Sequence, residues 1–169
     1  MRLTFWAGFW VFLADQATKY LVVHWLDLMN RLQIDVAPPF LTFRMAWNRG
    51  VNFGLFSGLD MRWALIGLAL AICLAVLFWL WRDGGTRWTY LSAGVLIGGA
   101  LGNVVDRVLY GAVADFLNMS CCGFENPYAF NVADIAVFVG AIGLVIFSGD
   151  GRGNLGGKTA PARPPRKTP

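Results

Sequence analysis

Residues 63–81 read WALIGLALAICLAVLFWLW. No side chain in this stretch is charged, and the hydrocarbon core of a bilayer takes about 20 apolar residues of helix. A tryptophan stands at each end, at positions 63 and 81, as is typical of helices that meet the two membrane–water interfaces. The stretch therefore predicts a transmembrane helix.

Three further apolar stretches, at residues 3–26, 88–105 and 130–148, have similar lengths, although Asp15 and Lys19 interrupt the first. The chain of 169 residues is 57% hydrophobic and 14% charged, whereas soluble domains carry about 25% charged residues. We expect an all-α membrane protein, with a bundle of four transmembrane helices in a single domain over residues 1–148. A signal peptide is the alternative for the first stretch, but no A-x-A-like cleavage site follows, so a retained helix is favoured.

Two long segments, 27–62 and 106–129, connect the predicted helices on one side of the membrane. In the first, residues 33–36 and 40–47 mix polar, β-branched and aromatic side chains, and Pro38-Pro39 separates them. This pattern predicts a small, outward-facing sheet or hairpin between the first and second helices.

Arginine and lysine are unevenly divided between the two sides of this arrangement. The side of the termini has Arg2, Arg82, Arg87, Arg152, Lys158, Arg163, Arg166 and Lys167, and the other side has Arg31, Arg44, Arg49 and Arg62. By the positive-inside rule, both termini are expected in the cytoplasm. Residues 149–169 are rich in Gly, Pro, Lys and Arg, and they predict a disordered basic cytoplasmic tail because they have little to bury.

Several classes of site are excluded by composition. The pI near 9.3 does not indicate nucleic acid binding, because the basic residues form no stripe interleaved with aromatic ones. Among the three cysteines, Cys73, Cys121 and Cys122, the adjacent pair does not easily reach disulfide geometry, so no disulfide framework is expected. His24 is the only histidine and no C-x-x-C occurs, so we expect no metal site and no cofactor.

Polar residues within apolar helices are costly unless they are paired or functional. Asp15 and Lys19 are four residues apart and share a helix face, and an internal ion pair is favoured over a direct catalytic role. At the end of the third stretch, Asn103 and Arg107 are also four residues apart, beside Asp106. They are suited to holding peptide carbonyls or a carboxylate, and the alternative is a polar cluster that reaches the interface.

Three glycines recur on one face of the third stretch, at Gly94, Gly98 and Gly102. A ridge of small residues lets a second helix approach closely. We expect a helix–helix contact there and assign these glycines no chemistry.

Two acids lie at the same predicted outer level. Asp115 is embedded in apolar residues shortly after the third stretch, and Asp134 lies in the first turns of the fourth. Two carboxyl groups in a poorly hydrated cleft tend to share one proton. One can then act as general base on a water while the other donates to a carbonyl oxygen, as in aspartic proteases. For each acid alone, a helix cap or a buried polar contact is the alternative.

Few residues in this chain suit other mechanisms of hydrolysis. There is no H-E-x-x-H and no G-x-S-x-G sequence, so neither a zinc protease nor a serine hydrolase is indicated. A Ser–Lys dyad would require Lys19 to meet one of four serines and is not favoured.

Five short motifs, in order, resemble the bacterial lipoprotein signal peptidase family, also called signal peptidase II. They are Asp15-Gln16-Ala17-Thr18-Lys19, Asn48-Arg49-Gly50-Val51-Asn52-Phe53, Gly102-Asn103-Val104-Val105-Asp106-Arg107, Val113-Ala114-Asp115-Phe116 and Phe130-Asn131-Val132-Ala133-Asp134. Asn52 and Ala114 depart from the family pattern, which has a small residue and a larger aliphatic residue there, and the C-terminal tail matches nothing in it.

The resemblance implies a membrane-embedded aspartic endopeptidase of the bacterial cytoplasmic (inner) membrane, with its active site near the outer face. Its substrates would be prolipoproteins that carry diacylglycerol on a cysteine, cleaved before that cysteine, and globomycin-type peptides would inhibit it. Asp115 and Asp134 would be the catalytic pair. Asn48, Gly50, Asn103, Arg107 and Asn131 would contact the substrate, and Asp15, Lys19 and Asp106 would give structural support. Membrane lipid would surround the protein, and segment 27–62 would fold over the cleft, with Trp47 and Phe53 as apolar contacts.

Two other functions stay open on the sequence. A small transporter or channel subunit would use Asp15, Lys19, Asp106 and Arg107 as a polar pathway, although such a relay needs groups spread through the membrane depth. A presenilin-like intramembrane protease is the other, but its Gly-x-Gly-Asp signature is absent.

Overall fold

The computed structural model describes residues 1–50 and 61–148. Its helices are α1 (Arg2–Lys19), the short α2 (Leu28–Arg31), α3 (Met61–Asp83), α4 (Arg87–Tyr110) and α5 (Val132–Phe147). A π-helical turn, Tyr20–Trp25, continues α1. Some expectations concern residues outside this description: Asn52, Phe53 and the predicted disordered tail at 149–169.

Two of these helices, α3 and α4, are long and apolar enough to cross a membrane, and α5 is apolar but shorter. Helix α3 exposes Leu68, Leu74 and Phe78, a face that lipid would cover. The described part of the chain is therefore a largely helical membrane protein with two apolar membrane-span candidates.

Helix α4 lies in the middle and packs against α1, α3 and α5. Its glycine face meets α1, as a Cβ atom at Gly98 would lie 2.9 Å from the Gly8 Cα and one at Gly102 would lie 3.1 Å from the Asp15 Cγ. Gly94 lies against the same helix. The predicted helix contact is confirmed, with α1 as the partner, and it places the Asp15 carboxyl group directly against α4.

A three-stranded antiparallel sheet has the order β1 (Gln33–Ala37), β2 (Leu41–Asn48) and β3 (Val113–Met119). Its first two strands form the expected hairpin, with a cis peptide bond between Pro38 and Pro39. The third strand corrects the expectation that the β element is confined to the connection between the first two helices. Most of β3 is buried on both faces, so it lacks the alternation of apolar and polar residues that marks a half-buried strand.

One face of the sheet packs on the π-helical turn and α2. Val22, Val23 and Leu28 form a buried cluster there with Ala114 and Phe116 of β3. Successive side chains of a strand point to opposite faces. Asp115, between these two residues, therefore points away from the cluster.

The segment after β3 contains a second correction, because Cys121 and Cys122 are joined by a disulfide. The two cysteines lie in a tight turn, in which the N–H of Phe124 donates to the carbonyl oxygen of Cys121 at 2.9 Å. Cys122 has a φ of 59°, a left-handed backbone conformation.

Candidate active site

Asp115, on β3, is 3% exposed and accepts two side-chain hydrogen bonds. Asn131 Nδ2 donates to its Oδ1 at 2.7 Å, and Asn48 Nδ2 donates to its Oδ2 at 3.1 Å. The Gly50 N–H donates to Asn48 Oδ1 at 2.9 Å, which orients that amide. Gly50 has a φ of 97°, a conformation that favours glycine. Asn48 thus contacts the Asp115 carboxyl group directly, and Gly50 contacts Asn48.

Asn131 caps α5 and also contacts the second acid. Asp134 N–H donates to Asn131 Oδ1 at 2.9 Å, and Asn131 N–H donates to Asp134 Oδ2 at 3.2 Å, a reciprocal capping box. The cap explains why α5 begins at Val132 rather than earlier in its apolar stretch. Because the Asn131 amide also donates to Asp115, one fully buried side chain joins the two acids.

Asn103 and Arg107 lie on the last two turns of α4. Asn103 Nδ2 donates to Asp134 Oδ1 at 2.8 Å, and Asn103 Oδ1 accepts from Asn131 Nδ2 at 3.1 Å. Arg107 Nη1 donates to the Asn103 carbonyl oxygen at 3.3 Å. Arg107 Nε is buried and has no hydrogen-bond partner among the described residues. The Asn103 amide is thus engaged by Asp134 and Asn131, whereas Arg107 Nε has no partner within the described part of the chain and could donate to a ligand oxygen.

A buried ion triplet, Asp15–Lys19–Asp106, lies behind the two acids. Lys19 Nζ is 2.8 Å from Asp15 Oδ2 and 2.8 Å from Asp106 Oδ2. It also donates to Asn103 Oδ1 at 3.3 Å. The structure thus contains the internal ion pair favoured for Asp15 and Lys19 and adds a third member from α4.

The triplet reaches the backbone directly before each acid. Asp15 Oδ1 accepts from the Ala133 N–H at 2.9 Å, and Asp106 Oδ2 accepts from the Ala114 N–H at 3.1 Å. Ala133 and Ala114 each precede one of the two acids in the sequence. The positions of β3 and of the α5 N-terminus are therefore tied to the same lysine.

Gln16 is a member of this network to which the sequence analysis gave no role. Its Nε2 lies 3.1 Å from Asp15 Oδ2, 3.3 Å from Asp106 Oδ1 and 3.4 Å from the Gly102 carbonyl oxygen. The sequence signal that could have identified Gln16 is its polar side chain in an otherwise apolar stretch.

The pKa of Asp115 is raised from its ordinary value of 3.8 to about 7. Burial is the largest cause, and the negative charge of Asp134 raises the pKa further. Hydrogen bonds from Asn48 and Asn131 and the charge of Lys19 act in the opposite direction. Near neutral pH the Asp115 carboxyl group can therefore keep its proton.

Trp47 does not lie where the sequence analysis expected it. It pairs with Ala114 in the sheet, whereas Ala46 pairs with Asp115. Trp47 therefore lies on the sheet face opposite to Asp115, and its ring packs 5.8 Å from that of Tyr110. Phe53, the other expected contact, lies outside the described residues.

The arrangement is suited to hydrolysis of an amide bond. One acid can hold a proton while the other is ionised, and both are fixed by amide donors. Within residues 1–50 and 61–148, no group of three or more His, Cys, Asp or Glu side chains could hold a metal ion.

Comparison with known proteins identifies similar chains. The family model described as Signal peptidase (SPase) II matches residues 8–149. A lipoprotein signal peptidase of Methylobacterium sp. (strain 4-46) is 42% identical over 134 residues, covering 78% of this chain and 79% of that protein. A lipoprotein signal peptidase of Methylobacterium radiotolerans is 41% identical over 153 residues, covering 88% and 86% of the two chains.

Two solved structures, both described as a bacterial membrane enzyme studied by the in meso method, are similar in fold. The one at 2.3 Å resolution has a TM-score of 0.72 and 26% identity, covering 95% of each chain. The one at 1.9 Å has a TM-score of 0.74 and 27% identity, covering 86% of this chain and 92% of that one.

Proposed function

The chain belongs to the signal peptidase II family, whose members remove signal peptides from prolipoproteins, and we propose that Asp115 and Asp134 are its catalytic pair. The observation that carries this proposal is Asn131, which donates to one carboxyl group through its side chain and to the other through its backbone. A hydrogen-bond partner shared by the two carboxyl groups supports their acting together on one substrate.

The reaction follows from the protonation of the pair. Asp134 takes a proton from a water molecule, whose oxygen attacks the carbonyl carbon of the scissile amide, while Asp115 donates its proton to the carbonyl oxygen. When the tetrahedral intermediate collapses, the C–N bond breaks and Asp134 passes its proton to the leaving amine. Asp115 recovers a proton from the intermediate's hydroxyl group, so the pair returns to its starting state.

Asp15, Lys19 and Asp106 act as positioning residues for this pair. None of the three contacts the carboxyl groups of the pair in the hydrogen bonds above. Asp15 holds the backbone N–H before Asp134, Asp106 holds the one before Asp115, and Lys19 forms an ion pair with both carboxyl groups. Their role is to hold β3 and α5 at a fixed separation.

The membrane arrangement that we propose has four spans, α1, α3, α4 and α5, with both termini in the cytoplasm. Its support is that Lys19 ends α1, Asp106 lies in the last turns of α4 and Asn131 begins α5, so the polar network lies at one end of the bundle. The charges of α1 are no obstacle to crossing, because Asp15 and Lys19 are buried against other helices. Charges gathered and paired at one end do not favour the transporter or channel alternative.

The substrate in this proposal is a diacylglyceryl-modified prolipoprotein of the bacterial inner membrane, cleaved before the lipidated cysteine near the outer face. Acyl chains retain it in the bilayer by about 0.8 kcal/mol per buried CH₂, so it reaches the acids along the membrane plane. In this proposal Asn48, Gly50 and Arg107 contact the substrate backbone, which the free Nε of Arg107 among the described residues supports. A globomycin-type peptide is expected to occupy the same position and inhibit.

Lipidation of the substrate is the test of this assignment. The purified enzyme in detergent is expected to cleave a diacylglyceryl-modified prolipoprotein and to leave the same precursor intact when its cysteine is replaced by serine and no lipid is attached. Gel mobility and the mass of the released peptide measure the outcome. Equal cleavage of the unlipidated precursor would instead favour a presenilin-like protease, and no cleavage of either would contradict the aspartic peptidase.

The pH dependence should report Asp115. Its proton is required for donation to the carbonyl oxygen, so kcat/KM is expected to fall as the pH rises through about 7, by about tenfold per pH unit at the alkaline limit. Histidine is the other side chain that ordinarily titrates in this range, and His24→Gln is the control that should keep the profile. If kcat/KM instead rises or stays level across neutral pH, Asp115 is not the group that donates the proton.

A further inference from the structure

A cavity of about 70 Å³ lies beside the ion triplet. Trp47 and Ala114 line it, so it opens on the sheet face opposite to Asp115. Its inner wall includes the buried Lys19 and Asp106. Its mouth consists of exposed aromatic side chains, which are Tyr20, His24, Trp47 and Tyr110. The proposed reaction uses neither this cavity nor these rings.

The four rings form a continuous row. The ring centroids are 5.8 Å apart for Tyr20 and His24, 6.5 Å for His24 and Tyr110, and 5.8 Å for Tyr110 and Trp47. Two of them come from the π-helical turn, a rare conformation that occurs frequently at functional sites. The turn thus presents Tyr20, Val23 and His24 together to the cavity.

The charges beneath the rings favour a cation. The triplet contains two carboxyl groups and one ammonium group, so acidic groups outnumber basic ones within it. Lys19 Nζ already has three acceptors, Asp15, Asp106 and Asn103, so it has no free donor for an anionic ligand. Aromatic rings beside buried carboxyl groups are the chemistry that binds organic ammonium groups.

We propose that this cavity binds the ammonium headgroup of a zwitterionic phospholipid, ethanolamine or choline. The choice of a lipid rests on the membrane arrangement proposed above, in which the ends of α1 and α4 beside the sheet lie at the level of the lipid headgroups. The cavity is separate from the proposed dyad. It would fix a lipid against the helix that carries Lys19.

The test uses the full-length protein in detergent, with short-chain lipids added. Dihexanoyl phosphatidylethanolamine and phosphatidylcholine are expected to raise Tm in a concentration-dependent manner, and dihexanoyl phosphatidylglycerol is not. Tyr110→Leu and Trp47→Leu should each weaken the apparent affinity about five- to tenfold. The control is Trp81→Leu, an exposed ring on α3, which should leave the affinity unchanged. Asp115→Asn should also keep the lipid effect, which separates this proposal from the catalytic one.

Three outcomes would overturn the proposal. Equal stabilisation by phosphatidylglycerol would mean a general lipid effect. Wild-type affinity in a folded Tyr110→Leu or Trp47→Leu variant would show that the rings do not bind the headgroup. Two variants on different elements are used so that a folding defect in one still leaves the other to be measured. Stabilisation by tetramethylammonium chloride, but not by the ethanolamine or choline lipids, would assign the cavity to a free ammonium ion.

Discussion

Replacement of Asp115 or of Asp134 by asparagine should lower the rate of prolipoprotein cleavage by about 10³-fold or more, since one group in general acid–base catalysis contributes about 10²–10⁴. Asparagine keeps the side-chain volume and one accepting oxygen, so each variant retains part of its contacts with Asn131. It cannot donate the proton of a carboxylic acid or accept one from water. The measurement is single-turnover cleavage of the lipidated precursor in detergent.

The matched control for both variants is Asp35→Asn. Asp35 is an exposed aspartate on β1 of the same sheet, and its replacement should leave the rate unchanged. Thermal unfolding of all three variants checks that each is folded. If a folded Asp115→Asn or Asp134→Asn variant cleaves substantially, that residue does not belong to the catalytic pair.

Replacement of Lys19 by methionine should have the largest effect on stability. Removing one partner of a buried ion pair costs about 3–5 kcal/mol, because the remaining charge is left uncompensated. Here two carboxylates, Asp15 and Asp106, lose the ammonium group that is 2.8 Å from each. Cleavage should fall as well, because the backbone N–H groups before both acids are held by these carboxylates.

A control and a rescue make the Lys19 result specific. Arg82→Met removes a cation from the exposed Arg82–Asp83 ion pair and should not change stability measurably. Combining Lys19→Met with Asp15→Asn and Asp106→Asn removes both orphaned charges and should restore much of the stability. A Lys19→Met protein as stable as Arg82→Met would show that the triplet does not hold the fold together.

Much of this molecule is predictable from sequence because its strongest signals are local. An uncharged run such as residues 63–81 predicts helix α3 from length and composition alone. The spacing of Gly94, Gly98 and Gly102 predicts a close helix contact. The i, i+4 spacing of Asp15 and Lys19 predicts their ion pair. In each case the deciding residues lie within a few turns of one another.

The features that the sequence did not predict depend on contacts between distant segments. Strand β3 forms because β2 offers it hydrogen bonds, and its burial on both faces removes the alternation that would reveal it. The third member of the ion triplet, Asp106, lies far from Lys19 in the sequence. Its contact with Lys19 forms only because α4 packs on α1, so the sequence spacing does not reveal it. Trp47 was misplaced because the face on which a strand residue lies depends on register. The role of Gln16 was likewise not predictable, because it depends on the Asp15 and Asp106 carboxyl groups lying close together.

The order of the triplet along the chain has a consequence for biogenesis. Asp15 and Lys19 are synthesised early, whereas Ala133 and Asp134 follow much later in the chain, and the Ala133 N–H reaches Asp15 only when α5 docks beside α1. A nascent chain that still lacks α5 has only one of the two acids. Under the mechanism proposed above, such a chain cannot cleave a precursor, and activity begins only after α5 has docked.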